Sequence, residues 1–242
     1  MGKNLVFVPE CHSTNSLAVE LSQQQVQPEG TVVITDHQTA GRGQRGNGWE
    51  ANPGENLTFS VIVNPGFLKV NEQFSLTQVT SLAVCDYLHD RLNTTIKIKW
   101  PNDIMVGSKK ICGILIENSL SGENLQNSVL GIGLNVNQEI FSLPSPTSMR
   151  QITGRWYEPG TELERLLETL EKRYLRLRSV QVSSLRKEYL ERMYWLNEKR
   201  IFASQSGEFE GVIKGVDELG LLKIETDARE LAFDLKEIRF VR

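Results

Sequence analysis

GRGQRGNGW, at residues 41–49, decides whether this chain has a dinucleotide-binding fold. Its spacing fits G-x-G-x-x-G, the turn of dinucleotide-binding folds, which needs a strand before it, a helix directly after it and an acidic residue about 20 positions on. A β-branched strand is predicted before it, at residues 31–35. However, residues 48–54 contain Pro53 and two glycines and cannot start a stable helix, and residues 58–71 contain no Asp or Glu. The stretch therefore predicts a flexible loop and not a dinucleotide fold.

The residue types in this loop indicate what it binds. Its glycines allow positive φ angles, and its backbone N–H groups can surround an oxyanion. Arg42 and Arg45 can each hold an anion through two hydrogen bonds. A solvated, disordered turn is the alternative interpretation, but Trp49 argues against it because disordered turns rarely contain an indole. We expect an anion-binding loop.

Composition excludes several classes of function. The chain has 242 residues, 39% hydrophobic and 24% charged, which is enough for one substantial core and a small appendage. A net charge of −3 and the lack of a basic run predict no nucleic-acid partner. No apolar segment suits a signal peptide or a membrane span, so we expect a cytoplasmic location and no membrane partner. Three widely spaced cysteines suit reduced thiols better than a disulfide or zinc site.

The order of predicted elements is that of an α+β fold. A helix is expected from Ser13 to about residue 25, and a helix over residues 72–92 is expected to cover one face of a sheet. Further helices are predicted at 162–178 and 183–194. Seven strands are predicted at residues 5–8, 31–35, 57–63, 96–100, 104–106, 111–117 and 129–136.

Beyond about residue 197 the chain consists of short predicted strands separated by glycine turns. These lie at residues 201–203, 211–216, 220–225, 231–233 and 238–241. Five strands in so short a segment predict a small β-barrel. We therefore divide the chain into a main domain, residues 1–196, and a small barrel, residues 197–242, whose expected role is structural or docking.

One polar cluster lies at the start of the first predicted helix, and a second polar position follows the strand predicted at residues 31–35. Ser13, Thr14 and Asn15 are by themselves an ordinary helix cap. Gln38 links a buried strand to the Arg-Gly loop, so its amide can point into a pocket. Hydroxyls and carboxamides supply both donors and acceptors, which suits a neutral polar group such as a urea.

Two further clusters lie in the later strands. Residues 100–103, WPND, have the chemistry of a turn, and a lysine at the start of a strand, such as Lys109 or Lys110, is usually a solvated edge residue. Two adjacent lysines raise the chance that one points inward. Gly131 and Gly133 lie inside a strand, where glycine is unfavourable unless a ligand or backbone approaches closely.

Together these segments resemble biotin protein ligases. Residues 41–49, 99–103, 110–117 and 131–135 match that family's G-R-G-R-x-G-x-x-W, K-W-P-N-D, K-x-x-G-I-L-x-E and G-x-G-x-N blocks in order and spacing. The resemblance implies a mixed β-sheet catalytic domain with helices on one face, of the class II synthetase-like biotin/lipoate ligase fold, and a C-terminal SH3-like β-barrel. The chain resembles the monofunctional type, which lacks the N-terminal DNA-binding domain of bifunctional members.

The resemblance implies a two-step reaction, that of a biotin–acetyl-CoA-carboxylase ligase. Biotin and ATP, with Mg²⁺ on the phosphates, give biotinyl-5′-AMP and pyrophosphate. A lysine of the biotin carboxyl carrier protein of a biotin-dependent carboxylase then accepts the biotin. The enzyme must offset the repulsion between the carboxylate and the triphosphate while holding them in line. A homodimer is left open, because no interface is identifiable.

Site residues follow from the matching motif positions. The implied catalytic residues are Arg42, Lys110 and Asp103, the last orienting or deprotonating the incoming lysine. The implied biotin-binding residues are Ser13, Thr14, Asn15, Gln38, Gly41, Arg42, Gly43, Gln44, Lys110, Gly113, Gly131 and Gly133. The implied ATP-binding residues are Arg45, Asn47, Trp49, Asn102 and Asn135. No protein ligand for a metal is assigned beyond Mg²⁺ on the ATP phosphates.

One departure and two alternatives accompany this resemblance. Gln44 stands where the family has an arginine, and the lost charge predicts looser retention of the adenylate under the loop. A lipoate ligase or octanoyltransferase is similar in fold and uses an equivalent lysine, and Cys112 would offer it a nucleophile. Against this, Cys112 lies within a strand, where a buried thiol is commoner. The other alternative is a carrier-binding module without turnover.

Overall fold

A seven-stranded mixed sheet forms the centre of the molecule. The computed structural model describes residues 1–179 and 182–241, with all their side chains except those of Arg45, Val182 and Ser183. The strands are β1 (Leu5–Cys11), β2 (Thr31–Gln38), β3 (Leu57–Val63), β4 (Ile96–Lys99), β5 (Asp103–Val106), β6 (Lys109–Ser121) and β7 (Asn124–Leu134). Their order is β1-β2-β3-β7-β6-β5-β4. The β1–β2 pair is parallel and the remaining pairs are antiparallel, which confirms the predicted mixed sheet.

Helices cover both faces of this sheet. They are α1 (Thr14–Gln24), α2 (Phe74–Leu92), α3 (Met149–Thr153), α4 (Pro159–Ser179) and α5 (Val182–Glu191). One face carries α2, against which α4 and α5 pack, while α1 packs on β2, β3 and β7. Phe59 and Val61 of β3 belong to the α2 core, whereas Ile62 packs with Ala18 of α1 on the opposite face. The prediction that the helices cover one face of the sheet is therefore correct for α2, whereas α1 lies on the opposite face.

The residue patterns explain why these elements form. Every residue of β3 is buried, as expected for a strand covered on both faces. The buried side chains of α4 recur with helical spacing along one face. They include Leu163, Leu166, Leu167, Leu170, Tyr174 and Leu177. None of the described helices combines the length and apolar composition needed to cross a membrane.

The C-terminal segment forms a second, antiparallel sheet. Its strands are β8 (Lys199–Ser204), β9 (Gly207–Val216), β10 (Leu222–Glu225), β11 (Glu230–Phe233) and β12 (Ile238–Phe240), in the order β11-β10-β9-β8-β12. The two end strands, β11 and β12, are not paired with each other among the described residues, so the segment is an open sheet where a barrel was predicted. Phe202 and Ile213 of this sheet belong to the same hydrophobic core as α2, so the two sheets are packed together.

Candidate active site

A cavity of about 300 Å³ opens on the α1 face of the main sheet. Strand pairing explains its floor, because side chains paired across a sheet share a face. Two neighbouring rows contribute: Thr58, Gly133, Gly113 and Asp103 in one, and Ser60, Gly131 and Leu115 in the other. Since the rows are two residues apart along each strand, they are separated by about 7 Å.

Three glycines keep this floor open. A Cβ atom on Gly131 would overlap the side-chain amide of Asn15, and one on Gly133 would overlap the indole of Trp49. At Gly113 a Cβ atom would lie 3.1 Å from both Nζ of Lys110 and the Trp49 ring. The glycines were predicted to let another group approach the strand closely, and at each of them a side chain would take up space in the cavity.

A network of neutral polar groups lies at the start of α1. Ser13 occupies the cap position, but its side chain makes no cap hydrogen bond. Instead, the backbone N–H of Thr14 donates to Oε1 of Gln38 at 2.8 Å. The hydroxyl oxygen of Ser60 lies 2.8 Å from Oγ1 of Thr14 and 2.6 Å from Oδ1 of Asn15. The hydroxyls and amides predicted to bind a urea-like group are thus brought together at one part of the cavity, where all but the half-buried Gln38 are buried.

Lys110 reaches the cavity because β6 contains a β-bulge. The pairing of β6 with β5 shifts register between Lys110 and Cys112, which leaves Ile111 as the extra residue. A bulge changes the face of the sheet to which the side chains beyond it point, here those on its N-terminal side. Ile111 and Cys112 are both buried in the core, while Lys110 turns to the opposite face, where its Nζ lies 2.5 Å from Oδ1 of Asp103. One predicted lysine therefore points inward and meets a predicted catalytic carboxylate.

Arg42 lies at the edge of the cavity, in an ion pair. Its Nη2 donates to Oε1 of Glu117 at 2.8 Å, and its Nη1 donates to the hydroxyl of Ser16 at 3.1 Å. The other oxygen of the Glu117 carboxylate accepts a hydrogen bond from Nδ2 of Asn15 at 2.9 Å. Glu117 thus joins the cationic loop to the neutral polar network.

The Arg-Gly loop folds over the floor. It is closed by hydrogen bonds from Trp49 N to Gly41 O at 2.9 Å and from Gly43 N to Asn47 O at 2.7 Å. The Trp49 ring rests on the glycine floor, with Nζ of Lys110 5.7 Å from the ring centroid. Trp49 Nε1 and Gln44 Oε1 are both buried without a hydrogen-bond partner. Buried polar atoms of this kind call for a ligand or a water.

Most of the predicted site residues line this one cavity. They are Ser13, Thr14, Asn15, Gln38, Arg42, Gly43, Gln44, Asn47, Trp49, Asn102, Asp103, Lys110, Gly113, Gly131 and Gly133. Gly41 packs against the Trp49 backbone, and the side chain of Arg45 lies outside the described residues. Asn135 is buried away from the cavity and donates from Nδ2 to the carbonyl oxygen of Thr147 at 3.0 Å.

Several lining residues were not predicted as site residues. Thr58 and Lys99 belong to strands that were predicted, and Lys99 lies in the K-W-P-N-D block, so the sequence contained a signal for it. Four others come from the C-terminal sheet and the turn before β12. They are Leu235, Ile238, Arg239 and Phe240. Their sequence matches no motif. Only the packing of the second sheet brings them to the cavity, so they could not be identified from the sequence.

The thiol of Cys112 lies on the other face of the sheet. It is fully buried in the core with α2, and burial raises its pKa far above the ordinary range of a thiol. A thiol in this environment stays protonated and unreactive at neutral pH. Among the described residues no three His, Cys, Asp or Glu side chains form a group that could hold a metal ion.

Comparisons with known proteins agree with this geometry. Residues 8–135 match the model of the biotin/lipoate A/B protein ligase family. The chain is 29% identical to the bifunctional ligase/repressor BirA of Bacillus subtilis, over 94% of this chain and 71% of that protein. It is also 29% identical to a biotin–acetyl-CoA-carboxylase ligase of Paracoccus denitrificans, over 86% of this chain and 89% of that protein.

Among solved structures, a biotin protein ligase of Aquifex aeolicus in complex with biotin and ATP superposes with a TM-score of 0.81. It is 27% identical, and the match covers 99% of this chain and 100% of that chain. The fold, the cavity and the sequence match lead to the same assignment. The chain belongs to the biotin/lipoate A/B protein ligase family.

Proposed function

We propose that this chain is an ATP-dependent biotin protein ligase. It forms biotinyl-5′-AMP from biotin and ATP with release of pyrophosphate, then transfers the biotin to a lysine of a biotin carboxyl carrier protein in the cytoplasm. The observation that carries the proposal is the glycine floor, which lies between a neutral hydrogen-bonding network and the Lys110–Asp103 pair. Relatives named as biotin ligases, one of them solved with biotin and ATP, support it.

The neutral network suits the ureido ring of biotin. A urea has two N–H donors and one carbonyl acceptor, and the buried side chains of Ser13, Thr14 and Asn15, with the half-buried amide of Gln38, offer both kinds of partner. No charged group is needed for such a ring, and burying one without a partner would be costly. The ring would lie beside Gly131, where only a glycine leaves space next to Asn15.

The carboxylate end would point along the floor to Lys110. The rows that contain Gly131 and Gly133 are about 7 Å apart, a distance that the aliphatic chain of biotin spans. Apolar contact with glycine backbone and the Trp49 ring suits that chain. Since Trp49 now rests on the floor, it would move aside and then cover the bound ligand.

The two cations would exchange partners during adenylate formation. Lys110 and Arg42 are paired with Asp103 and Glu117, and an incoming carboxylate and α-phosphoryl group would replace these carboxylates. A biotin carboxylate oxygen attacks the α-phosphorus, the bond to the bridging oxygen breaks, and pyrophosphate leaves with the electron pair. Preorganised cations lower the cost of the charge that gathers on the phosphoryl oxygens.

In the second step, biotin is transferred from the adenylate to the carrier lysine in the same cavity. The carrier lysine attacks the acyl carbon of the adenylate, an amide bond forms, and AMP leaves. The attacking amine loses a proton as the amide forms, and this proton would pass to Asp103 or to water. Mg²⁺ would enter with ATP, where it neutralises phosphate charge, and we assign it no protein ligand.

The nucleotide would occupy the remaining part of the cavity. Asn47, Asn102 and Trp49 line it, whereas Asn135 would reach the nucleotide only if α3 and its neighbouring loop moved. Residues 1–196 would form the catalytic domain, with residues 197–242 as a small C-terminal domain beside it.

Exchange of labelled pyrophosphate into ATP tests the proposal. The assay is run with biotin, lipoate or octanoate, followed by transfer to a purified carrier domain. Exchange with biotin alone, and biotin attached to the carrier, are the expected results. Exchange with lipoate alone would instead identify a lipoate ligase, and no exchange with any of the three acids would overturn the assignment as a ligase.

A further inference from the structure

One wall of the cavity belongs to the C-terminal sheet. Arg239 and its neighbours Ile238 and Phe240 of β12 line the same cavity as Lys110 and Asp103. This sheet was expected to be a structural or docking appendage. Its position instead makes it part of the candidate active site.

Two contacts hold the C-terminal sheet near the cavity, one to the turn between β9 and β10 and one to β12. The indole Nε1 of Trp100 is buried and donates to the carbonyl oxygen of Gly220 at 2.8 Å. The ammonium group of Lys99 lies 5.0 Å from the centre of the Phe240 ring, within the range of a cation–π contact. Both contacts come from the segment that leads to Asp103. The backbone of Arg239 is therefore fixed relative to the catalytic carboxylate.

Arg239 differs from the other cations that line the cavity. Arg42 is paired with Glu117, Lys110 is paired with Asp103, and Lys99 stacks on Phe240. In the part of the chain that the structure describes, the guanidinium of Arg239 has neither a carboxylate partner nor a hydrogen bond. It is exposed at the cavity, so it is free to meet an anion that enters from solvent.

We infer that Arg239 binds the β- or γ-phosphate of ATP, an inference that rests on the proposed function. Lys110 and Arg42 would be engaged by the biotin carboxylate and the α-phosphoryl group, which leaves Mg²⁺ and Arg45 for the two outer phosphates. Arg239 would add a further positive charge from the wall of the cavity that the C-terminal sheet forms. A guanidinium matches two phosphate oxygens with two parallel hydrogen bonds. Its exposed position also suits pyrophosphate, which must leave to solvent.

Steady-state pyrophosphate exchange with the Arg239→Gln variant tests this role. The expected result is a KM for ATP raised about tenfold, as for loss of one partly screened charge-assisted hydrogen bond, with the KM for biotin unchanged. Arg239→Lys should recover part of the loss. The difference between wild type and Arg239→Gln should shrink at high salt, because the group is exposed.

Arg229→Gln is the matched control, since Arg229 is an exposed arginine in the turn before β11 that does not line the cavity. It should behave as wild type, and thermal unfolding of each variant checks the fold. An unchanged KM for ATP in Arg239→Gln would overturn the inference. So would a defect confined to transfer from preformed biotinyl-AMP, which would assign Arg239 to the carrier protein.

Failure of the proposed function is distinguishable from failure of this inference. If the wild-type protein shows no exchange with any acid, calorimetric titration with ATP still compares wild type and Arg239→Gln. Weaker ATP binding by the variant supports the phosphate contact, and equal binding refutes it.

Discussion

Nζ of Lys110 lies 2.5 Å from Oδ1 of Asp103, on the cavity face of the main sheet. The ion pair joins two of the three residues that the motif positions imply for catalysis. It also suggests that Asp103 positions the lysine before substrate enters, since a carboxylate at this distance fixes the ammonium group.

The first prediction concerns this pair. Lys110→Gln should lower the rate of adenylate formation by about a hundredfold or more, because one preorganised charge contributes at least that much to such transition states. Asp103→Asn should lower it about tenfold if the carboxylate positions Lys110. Rapid-quench assays of adenylate formation and of transfer measure the two steps separately. Lys109→Gln, which alters the exposed neighbour, serves as the control.

The outcome for Asp103→Asn distinguishes its two proposed roles. Slower adenylate formation identifies a positioning residue. Normal adenylate formation with slow transfer identifies a base for the carrier lysine. If both steps proceed normally, neither role is correct.

A second prediction concerns the glycine floor. Gly133→Ala should raise the KM for biotin at least about tenfold, since the added Cβ overlaps the indole of Trp49 and displaces ligand or loop. The backbone at Gly133 is not in the left-handed region, so the free energy of unfolding should change little. Gly66→Ala is the control, because a Cβ there would meet no atom closer than 3.8 Å. An unaltered KM for biotin in a folded Gly133→Ala variant would contradict the position of biotin on the floor.

The third prediction concerns Gln44, whose Oε1 atom is buried without a partner. Gln44→Arg should slow release of biotinyl-AMP several-fold, because it restores the charge that the family pattern has in this loop. Release is followed by trapping the free adenylate after one turnover. Gln23→Arg, on the exposed part of α1, controls for added charge. Equal release rates in wild type and Gln44→Arg would refute the idea.

The fourth prediction separates a ligase from a thioester enzyme. Cys112→Ala should keep pyrophosphate exchange within about twofold of wild type while destabilising the fold by roughly 1 kcal/mol through loss of buried volume. Burial raises the pKa of this thiol, so iodoacetamide should label Cys112 only after unfolding. Denaturant titration and mass spectrometry measure both effects. A folded but inactive Cys112→Ala variant would favour acyl transfer through the sulfur.

Much of the fold could be predicted because its signals are local. The run at residues 57–63 is apolar and β-branched, and the structure has β3 with the same bounds. The spacing of apolar residues likewise predicted α2 and α4. The opposite placement of α1 was not predictable in this way. It depends on which side chains of β3 are left uncovered after α2 has packed.

The site shows the same division between local and non-local information. The motifs indicated Lys110 and the floor glycines, but G-x-G-x-N also placed Asn135 with them. By alternation, Asn135 would share a face with Gly131 and Gly133. However, β7 ends at Leu134, and Asn135 turns to Thr147 instead. Arg239 was missed because its position depends on the packing of two sheets, which no local pattern encodes.

The bulge at Ile111 also has a consequence for how this motif is compared between proteins. In K-x-x-G, the two unspecified positions are Ile111 and Cys112, and neither touches the cavity. Lys110 and Gly113 are three positions apart, so regular alternation would aim Lys110 into the core, and the bulge returns it to the cavity face. Deleting Ile111 would remove the bulge, and ordinary alternation from Gly113 through Cys112 would leave Lys110 on the cavity face. At this point of the strand, the spacing of the motif and the presence of the bulge therefore have to be compared together between proteins.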